Sequence, residues 1–271
     1  MAVLEGLEPI GVFKYFEEIS QIPHGSGNVK QISDYLCKFA KDRGLEYYQD
    51  ELFDVIIIKE ATEGYNDTVI TQGHIDMVCQ KEPGCTKDME KEGLDLLVEG
   101  DKISAKGTTL GGDDGMAVAM MLALLDDDSI KHPRLECVFT ADEETGLYGA
   151  EFIDVSPLKG KKFINLDSED EGELCIGCAG GLDAIAEFNY KTLKTPAGYV
   201  GYKLGVKGLQ GGHSGMDISL YRGNANKILA RAVIPAIENY CALVSDFSGG
   251  SLRNAIPYEA EAHILIPAGN E

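Results

Sequence analysis

The hydrophobic positions in the N-terminal part of the chain recur at helical spacing. Apolar residues return every three or four positions in GVFKYFEEIS and in GNVKQISDYLCKFAKDRGL, which predicts two amphipathic helices. The second segment closes on basic residues and a glycine, a common helix end. Short runs rich in β-branched residues then predict strands. These runs are DVIIIKE, DTVITQG, RLECVFTADEE and KKFINLD.

Helical patterns separate the later strand runs. An apolar helix is predicted over residues 115–127 and a weaker helix around residues 147–154. Strands that alternate with helices are typical of sheets whose strands run parallel. We therefore predict an α/β fold, with a mostly parallel twisted sheet and helices on both of its faces.

The pattern changes after Asn189. YVGYKLGVKGLQGGHSG predicts a strand and a glycine-rich turn, NANKILARAVIPAIENYCALV a long helix, and SLRNAIPYEAEAHILIP a hairpin-like pair of strands. This β-α-β-β order indicates a second, smaller α+β domain. We expect the chain to divide into a larger domain of residues 1–187 and a partial domain of residues 188–271.

Composition and charge narrow the possible partners and the compartment. Hydrophobic residues make up 44% of the chain, and the formal net charge is −21 without any cluster of Lys and Arg. This excludes nucleic acid and anionic membrane as expected partners. The start of the chain lacks a signal-peptide pattern, and the seven cysteines are scattered and odd in number. We therefore expect a cytoplasmic protein without a disulfide framework.

Liganding side chains follow the predicted strands. His74 and Asp76 come after TVITQG, Glu143 and Glu144 after ECVFTA, and Asp167 after FIN. Asp113 and Asp114 lie where a glycine-containing loop enters the apolar helix. Sheets of this kind bind ligands beyond the carboxyl ends of their strands. Crowded carboxylates repel each other unless a positive charge lies among them, so a divalent metal is predicted at this edge.

Each of these signals also has an ordinary structural explanation when it is taken alone. An aspartate at a helix start can cap the helix, and paired glutamates are commonly solvated. CIGC at residues 175–178 has the spacing of a redox or zinc pair, but a second pair does not follow it in the sequence, so we assign it no site. The convergence of four segments on one edge is what favours a metal centre.

Five segments, in this order, closely resemble the aminoacyl-histidine (Xaa-His) dipeptidases. They are GHIDMV, TTLGGDDG, ADEETGLYGA, NLDSEDEGELCIGCAGG and GLQGGHSG. These enzymes belong to the di-zinc aminoacylase/carboxypeptidase group of metallopeptidases. The resemblance extends from the first helix to RNAIPYEAEAHILIP, so it implies a catalytic domain followed by a lid or dimerisation domain.

The resemblance also implies roles for individual residues. Asp113 would bridge two metal ions, His74 and Asp167 would complete one site, and Glu144 would serve the other. Glu143 would be the general base and acid, and Asp76 would orient the ligands. The roles of two further residues follow in the same way: His213 of GGHSG would assist at the substrate carbonyl across a dimer interface, and Asp114 stands where relatives often carry asparagine.

The implied activity is hydrolysis of small peptides, with Xaa-His dipeptides as the leading class, by a homodimer with two zinc ions per intact site. Mn²⁺ or Co²⁺ could replace zinc. In the family the last ligand is a histidine in a segment that returns after the lid, so we expect a truncated chain that lacks it, with His263 structural. Two alternatives stay open: a related deacylase, tripeptidase or carboxypeptidase, and an inactive fragment that binds one metal or serves as an interaction module.

Overall fold

The computed structural model describes residues 3–168, 172–177, 180, 184–250, 252 and 254–270. The chain forms two compact units, Met1–Cys178 and Ala179–Glu271. The first unit contains, in chain order, α1 (Ile10–Ser20), α2 (Lys30–Asp42), β1 (Glu46–Gln49), β2 (Val55–Lys59), β3 (Thr68–His74), β4 (Leu96–Glu99), β5 (Lys102–Ala105), α3 (Gly112–Asp126), β6 (Arg134–Thr140), α4 (Tyr148–Phe152) and β7 (Lys162–Asn165).

The main sheet has five strands in the order β1-β2-β6-β3-β7. Strands β6, β3 and β7 run parallel, whereas β2 is antiparallel to both β1 and β6. The predicted α/β class is confirmed, and the sheet is mixed because β2 runs opposite to the other four strands. A short connection explains the difference, because strands joined by a tight turn must pair antiparallel. In that turn Asp50 Oδ1 accepts the N–H groups of Leu52 and Asp54.

Strand β2 shows how the sheet divides the core into two layers. Its side chains alternate between the faces of the sheet, as the pleat requires. Val55 and Ile57 join the core that includes the helices α1, α2 and α3. Ile56 and Ile58 join a smaller cluster on the other face, where Ile153, just after α4, packs against them. Both faces of the sheet are therefore covered.

Helix α3 is tightly fitted between α1 and the sheet. The sequence predicts that this helix is apolar on almost every side, and eight of its residues are buried. On one side a Cβ built at Gly11 of α1 would lie 3.3 Å from Ala123 Cβ. On the other side a Cβ built at Gly73 of β3 would lie 2.9 Å from Ala117 Cβ. Close packing of this kind fixes the position of the helix relative to β3.

The second unit contains β8 (Tyr199–Val206), a 3₁₀ turn (Ile218–Leu220), α5 (Ala225–Tyr240), β9 (Leu243–Gly249) and β10 (Ala260–Pro267). The strands form an antiparallel sheet in the order β8-β10-β9, and α5 packs on it through Leu229 and Val233. The predicted β-α-β-β order is confirmed. The hairpin assignment is shifted, because LVSDFSG forms β9 and the SLRNAIPYE segment connects it to β10.

Candidate active site

Three strand ends of the first unit meet at the carboxyl edge of its parallel strands. His74 ends β3 and is paired with Thr140, which ends β6. Asp167 lies two residues beyond β7, held there because Leu166 N–H donates to the Gln72 carbonyl of β3. The predicted convergence of these strand ends is observed, since His74 Nε2 lies 4.0 Å from Asp167 Oδ2.

His74 is the centre of the cluster. Its Nδ1 donates to the Asp76 carbonyl oxygen at 2.9 Å, which leaves Nε2 directed at Asp113 Oδ1, 3.0 Å away. Asp167 Oδ2 lies 4.0 Å from the same Nε2. Burial opposes the charged ring, but the carboxylates of Asp76, Asp114 and Asp113 outweigh it and raise the pKa of His74 to about 10. Negative charge therefore concentrates around this imidazole.

The two adjacent aspartates occupy different environments. Gly111, at φ +69°, turns the chain into α3, and neither Asp113 nor Asp114 has helical φ and ψ. Asp113 is half exposed, whereas Asp114 is 4% exposed and its Oδ2 accepts the His74 backbone N–H at 3.1 Å. Burial raises the pKa of Asp114 to about 7, an effect to which Asp167 and Asp113 add. Glycine at position 73 permits this approach, since a Cβ there would lie 2.5 Å from Asp114 Oδ2.

Among the residues that the structure describes, two groups of donor atoms are compact enough to hold a metal ion. One group is His74, Asp114 and Asp167, and the other is His74, Glu143 and Glu144; within each, the donor atoms lie within 4.8 Å of one another. Imidazole and carboxylate donors suit Zn²⁺, Mn²⁺ and Co²⁺. The residues present therefore fit the expected metal. The first group contains Asp114, while Asp113 adds its carboxylate 3.0 Å from His74 Nε2.

Asp76 connects the strand end to the glutamate pair. Its side chain is fully buried, and its Oδ1 accepts the Glu143 N–H at 3.0 Å. Its Oδ2 accepts the Glu144 N–H at 3.3 Å and the Ser26 hydroxyl at 2.7 Å. Burial would raise the pKa of Asp76, but hydrogen bonds from His74, Ser26 and Glu143 hold it below its usual range. Asp76 is thus an ionised acceptor that orients three segments.

The glutamate pair lies in the turn after β6. Asp142 turns the chain with φ +54°, so that Glu143 and Glu144 face the cluster. Burial, then Asp113, raises the pKa of Glu144 to about 7. Burial also raises the pKa of Glu143, and Asp167 and Asp76 add to that effect. A half-buried carboxyl with a raised pKa is suited to accept and return a proton near neutral pH.

Two hydrogen bonds that hold this turn could not be predicted from the sequence. Asp54, at the start of β2, accepts the Ala141 N–H at 2.7 Å, and Gly27 N–H donates to Asp142 Oδ1 at 2.6 Å. Ser26 donates to Asp76, as described above. Serine, glycine and aspartate are ordinary turn residues, so their types carry no signal; only the contacts between distant segments reveal them.

His213, in the second unit, is exposed and belongs to a tight turn. Its Nδ1 accepts the N–H groups of Gly215 and Met216, both at 3.1 Å. In the neutral ring the proton must then lie on Nε2, which makes that nitrogen a donor. His263 lies in β10, with its Nε2 3.1 Å from Glu261 Oε1.

Part of the fourth motif falls outside the described residues. These are residues 169–171, 178, 179 and 181, so the CIGC spacing, to which no site was assigned, lies partly outside the described residues. Within the described segment, Cys175 is exposed and its thiol donates to the Gly177 carbonyl. Among the described helices, none is both long enough and apolar enough to cross a membrane.

Known proteins similar to this chain agree with the motifs. Residues 198–271 match the family described as the peptidase dimerisation domain. The cytosol non-specific dipeptidase of Escherichia coli (strain K12) is 39% identical over 270 residues, covering 99% of this chain and 56% of the relative. The solved aminoacylhistidine dipeptidase of Vibrio alginolyticus is 38% identical, with a TM-score of 0.67, covering 98% of this chain and 55% of the other.

A more distant structure shares the fold alone. The aminopeptidase PepT of Bacillus cereus is 21% identical, with a TM-score of 0.52, and the match covers 96% of this chain and 67% of that one. The resemblance drawn from the five motifs is confirmed by the two closer relatives. The chain is therefore similar to the aminoacyl-histidine dipeptidases, and it spans about half the length of the relatives it matches.

Proposed function

We propose that this chain carries the metal-binding and proton-transferring residues of a dipeptidase that hydrolyses short peptides, with Xaa-His dipeptides as the leading substrates. The observation that carries the proposal is the cluster around His74, where aspartates and a glutamate pair from three segments converge. The names of the E. coli and Vibrio relatives support the choice of dipeptides. The E. coli name also supports a cytoplasmic location.

For the metal we propose zinc, with Mn²⁺ or Co²⁺ as possible substitutes, held by His74, Asp113, Asp167 and Glu144. Asp113 is the proposed bridge between two ions, since its exposed carboxylate lies beside His74 Nε2. Asp114 is instead engaged with the His74 backbone. When bound, such ions polarise the scissile carbonyl and lower the pKa of water.

Glu143 is the proposed general base and acid. Its backbone is fixed by Asp76, and its carboxyl has a raised pKa. It takes the proton of the attacking water and returns it to the leaving amine, so that the amine departs neutral. Asp76 holds the His74 ring and the glutamate turn in fixed positions relative to each other.

We further propose a homodimer in which His213 reaches the substrate carbonyl of the neighbouring subunit. The match of residues 198–271 to a dimerisation domain supports the dimer. The donor Nε2 of His213 supports a hydrogen bond to a carbonyl oxygen. The division into a catalytic domain of residues 1–187 and a lid domain of residues 188–271 belongs to the same proposal.

A substrate panel with zinc tests the function. The purified protein is assayed on Xaa-His dipeptides, other dipeptides, tripeptides and N-acyl amino acids, beside its Glu143→Gln variant. Glu151→Gln, an exposed glutamate of α4, is the matched control. In a form of the protein whose metal site is complete, we expect dipeptide hydrolysis that falls by about 10²–10⁴-fold in Glu143→Gln and is unchanged in Glu151→Gln.

Other outcomes of this assay decide against the proposal. A preference for tripeptides or N-acyl amino acids would identify a sister activity on the same residues. Zinc binding without hydrolysis of any substrate would instead identify a metal-binding module.

A further inference from the structure

The loop between α1 and α2 lies against the residues that follow β3. Gly25 pairs with Met77 in a parallel bridge, and Met77 N–H donates to the His24 carbonyl at 3.1 Å. Ser26 N–H returns to the Met77 carbonyl at 3.3 Å. These backbone bonds fix Ser26 next to Asp76, whose position in the chain is fifty residues away.

The Ser26 hydroxyl has a specific acceptor there. It donates to Asp76 Oδ2 at 2.7 Å, the oxygen that also accepts the Glu144 N–H. Asp76 Oδ1 accepts the Glu143 N–H and faces His74 Nδ1 at 3.4 Å. A carboxylate can rotate about its terminal bond, and a bond to Ser26 restricts that rotation. Its plane therefore depends on this hydroxyl as well as on the two backbone N–H groups.

Gly27, the residue after Ser26, makes a second hydrogen bond, to the glutamate turn. Gly27 N–H donates to Asp142 Oδ1 at 2.6 Å, immediately before Glu143. Ser26 and Gly27 together thus join the two segments, after β3 and after β6, that present the proposed metal ligands and base. Ser26 itself belongs to neither of the compact donor groups around His74.

We propose that Ser26 is a positioning residue that acts through Asp76 on the glutamate pair and on the His74 ring. The inference rests on the proposed function for its kinetic consequence. Its effect on metal affinity stands independently, because a ring held less firmly binds a metal ion more weakly. Loss of such an outer contact typically lowers metal affinity or activity by about 10–100-fold.

The test compares Ser26→Ala with Ser26→Thr, which keeps the hydroxyl, and with Ser20→Ala. Ser20 is the matched control, because it is a buried serine whose hydroxyl donates at 2.7 Å to the Phe16 carbonyl within α1. Zinc affinity is measured by competition with a chelating dye, kcat and KM on a dipeptide, and folding by circular dichroism and thermal unfolding.

We expect Ser26→Ala to lower zinc affinity, or kcat at unchanged KM, by about 10–100-fold, while Ser26→Thr retains most of both and Ser20→Ala matches the wild type. The inference is overturned if Ser26→Ala behaves like Ser20→Ala, or if Ser26→Thr loses as much as Ser26→Ala. A wild-type protein that hydrolyses no peptide refutes the proposed function alone, because zinc affinity still judges Ser26.

Discussion

At the scale of single residues, the adjacent aspartates give the sharpest prediction. Asp113→Ala should abolish tight zinc binding, because it removes the carboxylate beside His74 Nε2. Asp114→Asn should be mild, since the amide oxygen can still accept the His74 N–H and the buried acid has a pKa of about 7. Competition with a chelating dye measures both. The reverse order of effects would make Asp114 the ligand, together with His74 and Asp167.

A second prediction at this scale concerns Asp54 and pH. Burial raises its pKa to about 7, to which Asp50 adds. The folded state therefore binds a proton that the unfolded state releases near pH 4, so this contribution is complete at low pH and is lost as pH rises through 7. Relative to Asp54→Asn, the wild type should lose roughly 3–4 kcal/mol between pH 4 and pH 8.

Urea unfolding in the presence of EDTA at several pH values measures this difference, and Asp50→Asn serves as the neighbouring control. An Asp54→Asn protein whose stability follows that of the wild type at every pH would show that Asp54 is ionised throughout.

Some residues of the candidate site could be predicted from the sequence and others could not. His74, Asp76 and the glutamate pair follow β-branched runs, so their convergence could be predicted from strand polarity alone. Ser26 and Asp54 could not, because their importance lies in bonds to segments that are distant in sequence. The assignment of Asp113 over Asp114 came from the family resemblance and stays a prediction.

At the scale of elements, α3 tests how burial differs along one helix. Leu122 is 0% exposed and Leu124 is 36% exposed. Leu122→Ala should lower the free energy of unfolding by about 2–5 kcal/mol, and Leu124→Ala by less than half of that. The helix-propensity change is the same for both, so it cancels in the comparison. Equal losses in chemical denaturation would mean that α3 does not pack as described.

Elements with a strong period were predicted well, and those with weak patterns were not. Helix α2 and strand β2 have clear apolar periods and were both expected. The four-residue strands β1, β4 and β5 have few buried positions, so nothing in their pattern distinguishes them from loops. The antiparallel pairing of β2 also escaped prediction, because pairing depends on the turn between strands and not on the strands' own residues.

At the scale of the whole molecule, the proposed dimer predicts complementation between inactive subunits. A hybrid of His213→Ala and Glu143→Gln subunits has one site with both residues intact. A one-to-one mixture contains half hybrids, so activity should return to about a quarter of the wild-type value. Peptidase assays after subunit exchange measure the recovery.

The control for this experiment is a mixture of Asp113→Ala and Glu143→Gln subunits. Both residues belong to the same unit of the same chain, so no hybrid contains an intact site and activity should stay absent. Failure of the first mixture, with exchange demonstrated by labelled subunits, would leave His213 without a role across the interface.

The close packing of α3 against Gly11 and Gly73 limits which substitutions the sequence can accept. A methyl group at position 73 would press on Ala117 of α3 at 2.9 Å, and a methyl group at position 11 would lie only 3.3 Å from Ala123 of the same helix. A change at one position removes the room that would absorb a change at the other, so the two sites are epistatic. Gly11→Ala should be mild alone but more costly in a Gly73→Ala background, by an interaction of roughly 0.5–3 kcal/mol in a double-mutant cycle. Lineages of this protein would then keep both glycines or replace them only together with residues of α3.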